Sequence, residues 1–321
     1  MNSLKKPIPI FFAVDNAYAP YLSVAIDSLA QNASTEFDYR IHIVHQQLSE
    51  LNKQRLAALK RRNVEILFTE MSDTLASITN REENWFRLDN FTLTIYFRLF
   101  LAEMFPQYDK AVYLDSDIVV PGDISELYST PLSDGQAIGA CPDFSIQNVP
   151  ELVDYLENSI GVDRLEYINS GVLVMNFKLL RERCFAAKFM ELLNTWHYDS
   201  VAPDQDYLNA ICNGRIFYLD RCWDVMPERN TPIISKPKLI HYNLFDKPWC
   251  YDNVQYEEYF WNYAKDSAFY DEIVNFKANY SDEQKAHDAK ALSFLIAKAS
   301  RMPNEEITFK KLYEKGVSIR L

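Results

Sequence analysis

Glycine is scarce in this chain, at seven in 321 residues. None of the seven forms a G-x-G-x-x-G or a Walker A loop, so the backbone cradles of dinucleotide and triphosphate sites are missing. A phosphorylated ligand would need a metal and side-chain cations instead. No apolar run approaches the roughly eighteen residues of a membrane span. The start, MNSLKKPIPIFFAV, sets two lysines before a short apolar run. Pro7 and Pro9 break that run, and Asp15 follows without a small-residue cleavage site, so it reads as the first buried strand of a cytoplasmic protein. Basic charge is also short: the net charge of −12 argues against non-specific nucleic-acid binding, while leaving room for a local phosphate pocket. Cysteines number five (141, 184, 212, 222, 250), without C-x-x-C, so buried free thiols are expected rather than a disulfide framework or a zinc site.

What the chain has in quantity is apolar and aromatic side chains, 48% and 14% of residues, enough for one large domain or two modest ones. Ile8–Val14, Tyr39–His45 and Val64–Phe68 read as strands. Helices over Pro20–Ala30 and Ser49–Arg61 separate them, the second with Ser49 as N-cap. This β-α-β-α-β opening predicts a parallel sheet with helices on its faces. Residues 70–91 are polar and irregular. A helix over Thr92–Phe105 is stopped by Pro106, and the strand Ala111–Leu114 follows. Further strands are expected at Ile138–Cys141, Gly171–Asn176, Ile216–Leu219 and Leu239–Tyr242. Helices are expected over Lys178–Trp196 and Asp204–Cys212, with Asp204 as N-cap. Composition shifts near residue 265, giving an expected domain over 1–265 and a charged helical extension over 266–321, with helix across Asp266–Arg301.

The most informative stretch is VYLDSDIVV, Val112–Val120, where Asp115 and Asp117 interrupt an apolar strand. In extended chain, residues i and i+2 share a face, roughly 6–7 Å apart. Two carboxylates held there repel and lose hydration, so they need a compensating charge. Oxygen ligands at this spacing suit Mg²⁺ or Mn²⁺ shared with a phosphorylated substrate, though such a pair can also be solvated turn residues. Their place at a strand's carboxyl end in an open α/β sheet is where ligands bind.

Four other places carry chemistry. His241, in LIHYNLFDKPWCYDN, is either a core histidine or a third metal ligand, and Lys247 is either a solvated turn lysine or a cation for a leaving phosphate. In APDQDYLN, Asp204 and Gln205 suit a helix cap or sugar hydroxyls. In YINSGVLVMNF, Asn169, Ser170 and Gly171 break an apolar strand, as a ligand-facing segment would. Arg98, inside TIYFRLFL, needs a carboxylate or phosphate partner.

Taken in order, FFAVDNAYAPYLSVAIDSL, TIYFRLFLAEMFP, YDKAVYLDSDIVV, IGACPDF, YINSGVLVMNF, PDQDYLN and HYNLFDKPW make the chain resemble glycosyltransferase family 8 over roughly residues 8–265. These are retaining nucleotide-sugar transferases with a GT-A-type fold, and the likeness extends to bacterial lipooligosaccharide galactosyltransferases and glucosyltransferases. The resemblance implies a Rossmann-like, mostly parallel sheet flanked by helices, a UDP-sugar donor and Mn²⁺ or Mg²⁺. It puts Ala13, Asp15 and Tyr18 at uracil and ribose. Asp115, Asp117 and His241 fall on the metal, with Ser116 between the aspartates at the donor, and Lys247 on the diphosphate. Arg98, Asp143, Asn169, Ser170, Asp204 and Gln205 fall near the donor sugar and the reacting centre.

Two departures stand out. Leu244 occupies a glycine position of the family's H-x-x-G-x-x-K-P-W, so the closing loop is expected to sit differently. Ala17 stands where relatives often have Asn, at the cost of one nucleotide contact.

The implied reaction moves glucose or galactose to a hydroxyl of a glycan, lipid-linked or protein acceptor. The alternatives are a catalytically impaired nucleotide-sugar-binding scaffold subunit, and a haloacid-dehalogenase-type phosphatase suggested by Asp115-Ser-Asp117-Ile-Val119. That phosphatase wants its motif on the first strand, whereas a full β-α-β-α-β precedes it here. A self-glucosylating role finds no marked acceptor tyrosine. Gln284–Arg301 reads as an amphipathic helix that either packs on the domain or lies on the inner face of a membrane. A homodimer is among the expected partners.

Overall fold

The computed structural model describes residues 6–71, 94–228 and 233–321. The irregular 70–91 segment of the sequence reading therefore falls almost wholly outside the described residues. The first three strands form as expected: β1 (Ile8–Val14), β2 (Tyr39–His45) and β3 (Val64–Glu70). They join β4 (Ala111–Leu114), β6 (Ile138–Ala140), β7 (Val172–Met175) and β8 (Ile216–Tyr218) in one seven-stranded sheet of order β3-β2-β1-β4-β7-β6-β8. Pairings are parallel except where β7 runs antiparallel to both β4 and β6. A two-stranded ribbon, β5 (Ile118–Val119) with β9 (Ile240–His241), leaves the sheet just past β4.

Side chains alternate across β1 with period two. Phe11 enters one core, with Tyr113 and Leu173, while Ile10 and Phe12 enter the other, with Val112 and Leu114. Burying each such side chain is worth about 1.5–3 kcal/mol. Both faces are thus apolar, which is why β1, β4 and β7 read as unbroken hydrophobic runs. The segment after residue 265 contributes to both cores: Phe269 and Ile273 to one, Leu295, Ala299, Met302 and Phe309 to the other. Among the described residues no helix is long and apolar enough to cross a membrane.

Several helices differ from the sequence expectation. The helix from Ala19 to Asn32 is longer at both ends, and the one capped by Ser49 stops at Ala57. The expected Thr92–Phe105 helix is two short ones, Thr94–Phe97 and Leu101–Met104, with Arg98 in the turn between them. The expected Lys178–Trp196 helix breaks into Phe177–Glu182 and Phe185–Trp196 because Cys184 takes a left-handed conformation at φ 53°. Cys184 is exposed and Cys222 and Cys250 are half-buried, so the expectation of buried free thiols holds only for Cys141 and Cys212. The Asp266–Arg301 helix divides into Tyr270–Ala278 and Asp282–Arg301, the second opened by a Ser281/Gln284 capping box. Asp204 is not an N-cap. Ala202 holds that place, and Asp204 lies in the first turn of the Pro203–Ile211 helix.

Candidate active site

The strand order β3-β2-β1-β4 reverses direction between β1 and β4, and the crevice outside the carboxyl ends at such a switch point is where open sheets bind ligands. β1 delivers Ala13 and, just beyond, Asp15 there; β4 ends at Leu114, so Asp115–Asp117 form a bend at the same edge. Ser116 Oγ ties the two ends by donating to Ala13 O at 3.0 Å. Pairing of Leu114 with Val172 brings the Asn169–Gly171 segment alongside, closed by Asp115 N–H to Gly171 O at 2.8 Å. The ribbon register sets His241 opposite Ile118, and Tyr242 N–H reaches Asp117 O at 2.9 Å. A cleft of about 310 Å³ results. Ala13, Asp15, Tyr18, Arg98, Asp115, Ser116, Asp117, Asn169, Ser170, Asp204, Gln205 and His241 all line it.

Asp115, Asp117 and His241 each offer a ligand atom, all within 4.8 Å of one another. His241 Nε2 lies 3.4 Å from Asp117 and 3.9 Å from Asp115. Its Nδ1 lies 3.1 Å from Asp224, a fully buried carboxylate whose Oδ2 has no partner among the described residues. A carboxylate behind a ligating imidazole fixes the ring and its tautomer. Burial opposes charging the His241 ring, but hydrogen bonds and charge from Asp117 and Asp224 outweigh it and raise its pKa to about 10. With His241 neutral, the carboxylates gathered here outnumber Arg98 and Lys247, an excess of negative charge that a divalent ion would reduce. Gly171 adds a steric fit: a Cβ there would lie 2.3 Å from His241 Cε1 and 2.8 Å from Asp115 Oδ2. These residues fit a hard divalent ion.

Two buried cations brace the aspartates. Arg98, 5% exposed, reaches Asp115 Oδ1 at 2.8 Å, Asp204 Oδ2 at 3.1 Å and Ser170 O at 2.6 Å. Its guanidinium also stacks 4.5 Å from the Tyr113 ring centre, and the Tyr113 hydroxyl donates to Asp115 at 2.7 Å. Lys247 does not line the cleft. It sits behind Asp117, 2.5 Å from Oδ2, and donates to Tyr242 O at 2.7 Å. Burial alone would raise the Asp117 pKa, but Lys247 and His241 overcome it and hold the carboxyl well below the usual range.

Asp143 also lies off the cleft. Its Oδ2 accepts from Gln205 Nε2 at 2.9 Å and Asn169 Nδ2 at 3.3 Å, and its Oδ1 from the Ser145 backbone and hydroxyl. Its acceptor capacity is filled, and its effect is to orient Gln205. Asp204 takes a hydrogen bond from Ser170 Oγ at 2.9 Å, and burial raises its pKa against the lowering influence of Arg98. The helix carrying this pair is latched by Asp206, which accepts from Tyr155 and Tyr167 at 2.6 Å each, from Ser200 Oγ and from the Ala202 backbone. At the cleft mouth Leu244 holds φ 55°, the left-handed conformation a glycine would take.

Asp206, Asp224 and Tyr113 escaped the sequence reading. Asp224 carries the clearest signal, a carboxylate between Trp223 and Val225 in an apolar stretch, but nothing local pairs it with His241.

The sequence profile described as Glycosyl transferase family 8 matches residues 9–253. The chain belongs to this family. Among solved structures, the galactosyltransferase LgtC in complex with donor and acceptor sugar analogues is 26% identical with a TM-score of 0.68, over 87% of this chain and all of that one. The bifunctional glycosyltransferase WbbM is 25% identical with a TM-score of 0.73 over 87% of this chain, which spans about half (53%) of WbbM. Among relatives, the lipopolysaccharide 1,2-glucosyltransferase of Escherichia coli is 24% identical over 267 residues, 77% of this chain and 75% of that protein. The fold is therefore GT-A, and the family's chemistry is glycosyl transfer.

Proposed function

We propose that this family 8 member is a Mn²⁺-dependent (or Mg²⁺-dependent) hexosyltransferase. It moves glucose or galactose from a UDP-sugar to a hydroxyl of a glycan, lipid-linked or protein acceptor, with retained anomeric configuration. The observation that carries this reading is the Asp115–Asp117–His241 cluster at the β1/β4 switch point, in one cleft with Arg98, Asp204 and Gln205. Asp115, Asp117 and His241 would hold the ion, which when bound supplies positive charge against diphosphate oxygens.

The chain's own groups then divide the work. Ala13, Asp15 and Tyr18 take the uridine, with Ser116 beside them. Lys247, released from Asp117 as the site fills, meets the departing diphosphate. Asn169, Ser170, Arg98 and Asp204 position the hexose, and Asp143 keeps Gln205 aimed at the anomeric carbon. In the transfer, the bond from the anomeric carbon to the β-phosphate oxygen breaks and the acceptor oxygen bonds to the same face of that carbon. The acceptor proton passes to the departing phosphate. Front-face attack suits a site in which Asp204 and Asp143 are already engaged and Gln205 is a poor nucleophile. A glycosyl adduct trapped on Asp204 or Asp143 would overturn it.

The test is UDP release from a panel of nucleotide-sugars, with Mn²⁺ and with EDTA. Slow Mn²⁺-dependent hydrolysis of one UDP-hexose is expected. No hydrolysis and no UDP binding by calorimetry refutes the reading, and UDP binding without turnover on any acceptor or water favours the scaffold alternative.

A further inference from the structure

A second cavity, of about 90 Å³, lies against the far wall of the cleft and shares Ala202, Gln205, Asn243 and Leu244 with it. Its other lining is largely apolar: Ile146, Leu152 and Val201 from the domain, with Leu292, Leu295 and Ile296 from the Asp282–Arg301 helix. Asp143 and Gln205 stand at its polar end. We infer that this cavity seats an apolar group of the acceptor, one short alkyl or ring substituent next to the hydroxyl that is glycosylated. The inference rests on the hexosyltransferase reading above and names the acceptor class it implies.

Three observations carry it. First, Gln205 lines both the cleft and the cavity, so on the hexosyltransferase reading the cavity adjoins the reacting centre that an acceptor must reach. Second, Leu244 lines both spaces while held at φ 55°, a conformation that costs a leucine about 1–2 kcal/mol and a glycine nothing. A glycine there would be the relaxed choice but would leave no apolar wall. Third, Leu292 of the Asp282–Arg301 helix lines the cavity while 41% exposed, so the apolar lining reaches the surface. Small apolar cavities of this kind hold apolar ligands in preference to water.

The experiment is calorimetry with the full chain, Mn²⁺ and UDP present, using matched methyl and phenyl β-glycosides of glucose and of galactose. The phenyl member of a pair should bind at least about tenfold more tightly. Leu292→Asp, at an exposed position outside the donor cleft, should remove most of that gain while leaving UDP affinity within about twofold, and Leu244→Gly, which the backbone accepts without strain, should remove it as well, whatever it does to UDP. Equal affinity within every pair, no binding by any glycoside, or a gain that survives both substitutions overturns the proposal. Failure of wild-type protein to bind UDP overturns the donor reading first, and the acceptor inference with it.

Discussion

Gly171→Ala is the sharpest probe of the proposed metal centre, because a single methyl is aimed at two of its ligands. The Gly171 backbone lies outside the left-handed region, so alanine adds no conformational strain and the effect is purely steric. The new Cβ would meet His241 Cε1 at 2.3 Å, against about 3.5–4.0 Å for a relaxed carbon contact, so the ring or β7 must move by more than about 1 Å. His241 cannot retreat freely, since Nδ1 is held at 3.1 Å by the buried Asp224. Overpacking of this kind costs about 1–3 kcal/mol, a drop of a few degrees in Tm that leaves the protein folded. Ligand misplacement should weaken Mn²⁺ binding about 10–100-fold, and a 1 Å error at a reacting centre costs about 10²-fold in turnover. Electron paramagnetic titration of Mn²⁺ and UDP-release kinetics read both. Mn²⁺ affinity and turnover within twofold of wild type, in a folded variant, would refute the metal assignment.

Other perturbations separate the remaining roles. Asp117→Asn should abolish Mn²⁺-dependent turnover with circular dichroism unchanged; near-normal activity removes Asp117 from the centre. Lys247→Ala should slow turnover by about 10²-fold while UDP affinity falls far less, because the ammonium acts on the departing diphosphate; an unchanged kcat excludes it. His42 gives a pH test away from the site. It stacks on Phe11 at 4.7 Å, and burial, with Arg40 adding repulsion, lowers its pKa to about 4 from 6.5. The unfolded chain therefore takes up a proton that the folded one refuses. The stability contribution is complete above pH 6.5 and is lost as pH falls toward 4. Urea midpoints should drop less steeply with acid in His42→Gln than in wild type, and parallel curves would discount His42.

The parts legible in the sequence are those with a local cause. The strands β1–β3, the Ser49 cap and the aspartates at the end of β4 each follow from neighbours a few residues away. His241 is marked in the sequence as either a core histidine or a ligand, and only the resemblance decides for the metal, because its meeting with Asp115 depends on the β5–β9 register. What stayed hidden depends on long-range fit or on single backbone choices. Cys184 breaks a helix by turning left-handed without a glycine to announce it. Asp204 lies inside the first turn because the helix opens at Pro203, and its carboxylate meets Arg98 and Ser170 from distant segments, while Asp224 makes sense only once residues 224 and 241 are neighbours. Gly171 read as a strand break, and its reason is the crowding of two other segments against it.

The bond between Lys247 and Asp117 joins residues 130 positions apart. On a ribosome adding about 5–20 residues per second, roughly 7–26 s pass between the emergence of the carboxylate and that of its ammonium partner. During that interval the parallel half of the sheet has all its strands, but the aspartates at its edge have neither lysine nor imidazole to face. Asp115 already has Arg98 beside it in a nascent N-terminal half, but Asp117 has no cation of its own. It stays wet and unlocked at that edge until the last third of the chain arrives to close it.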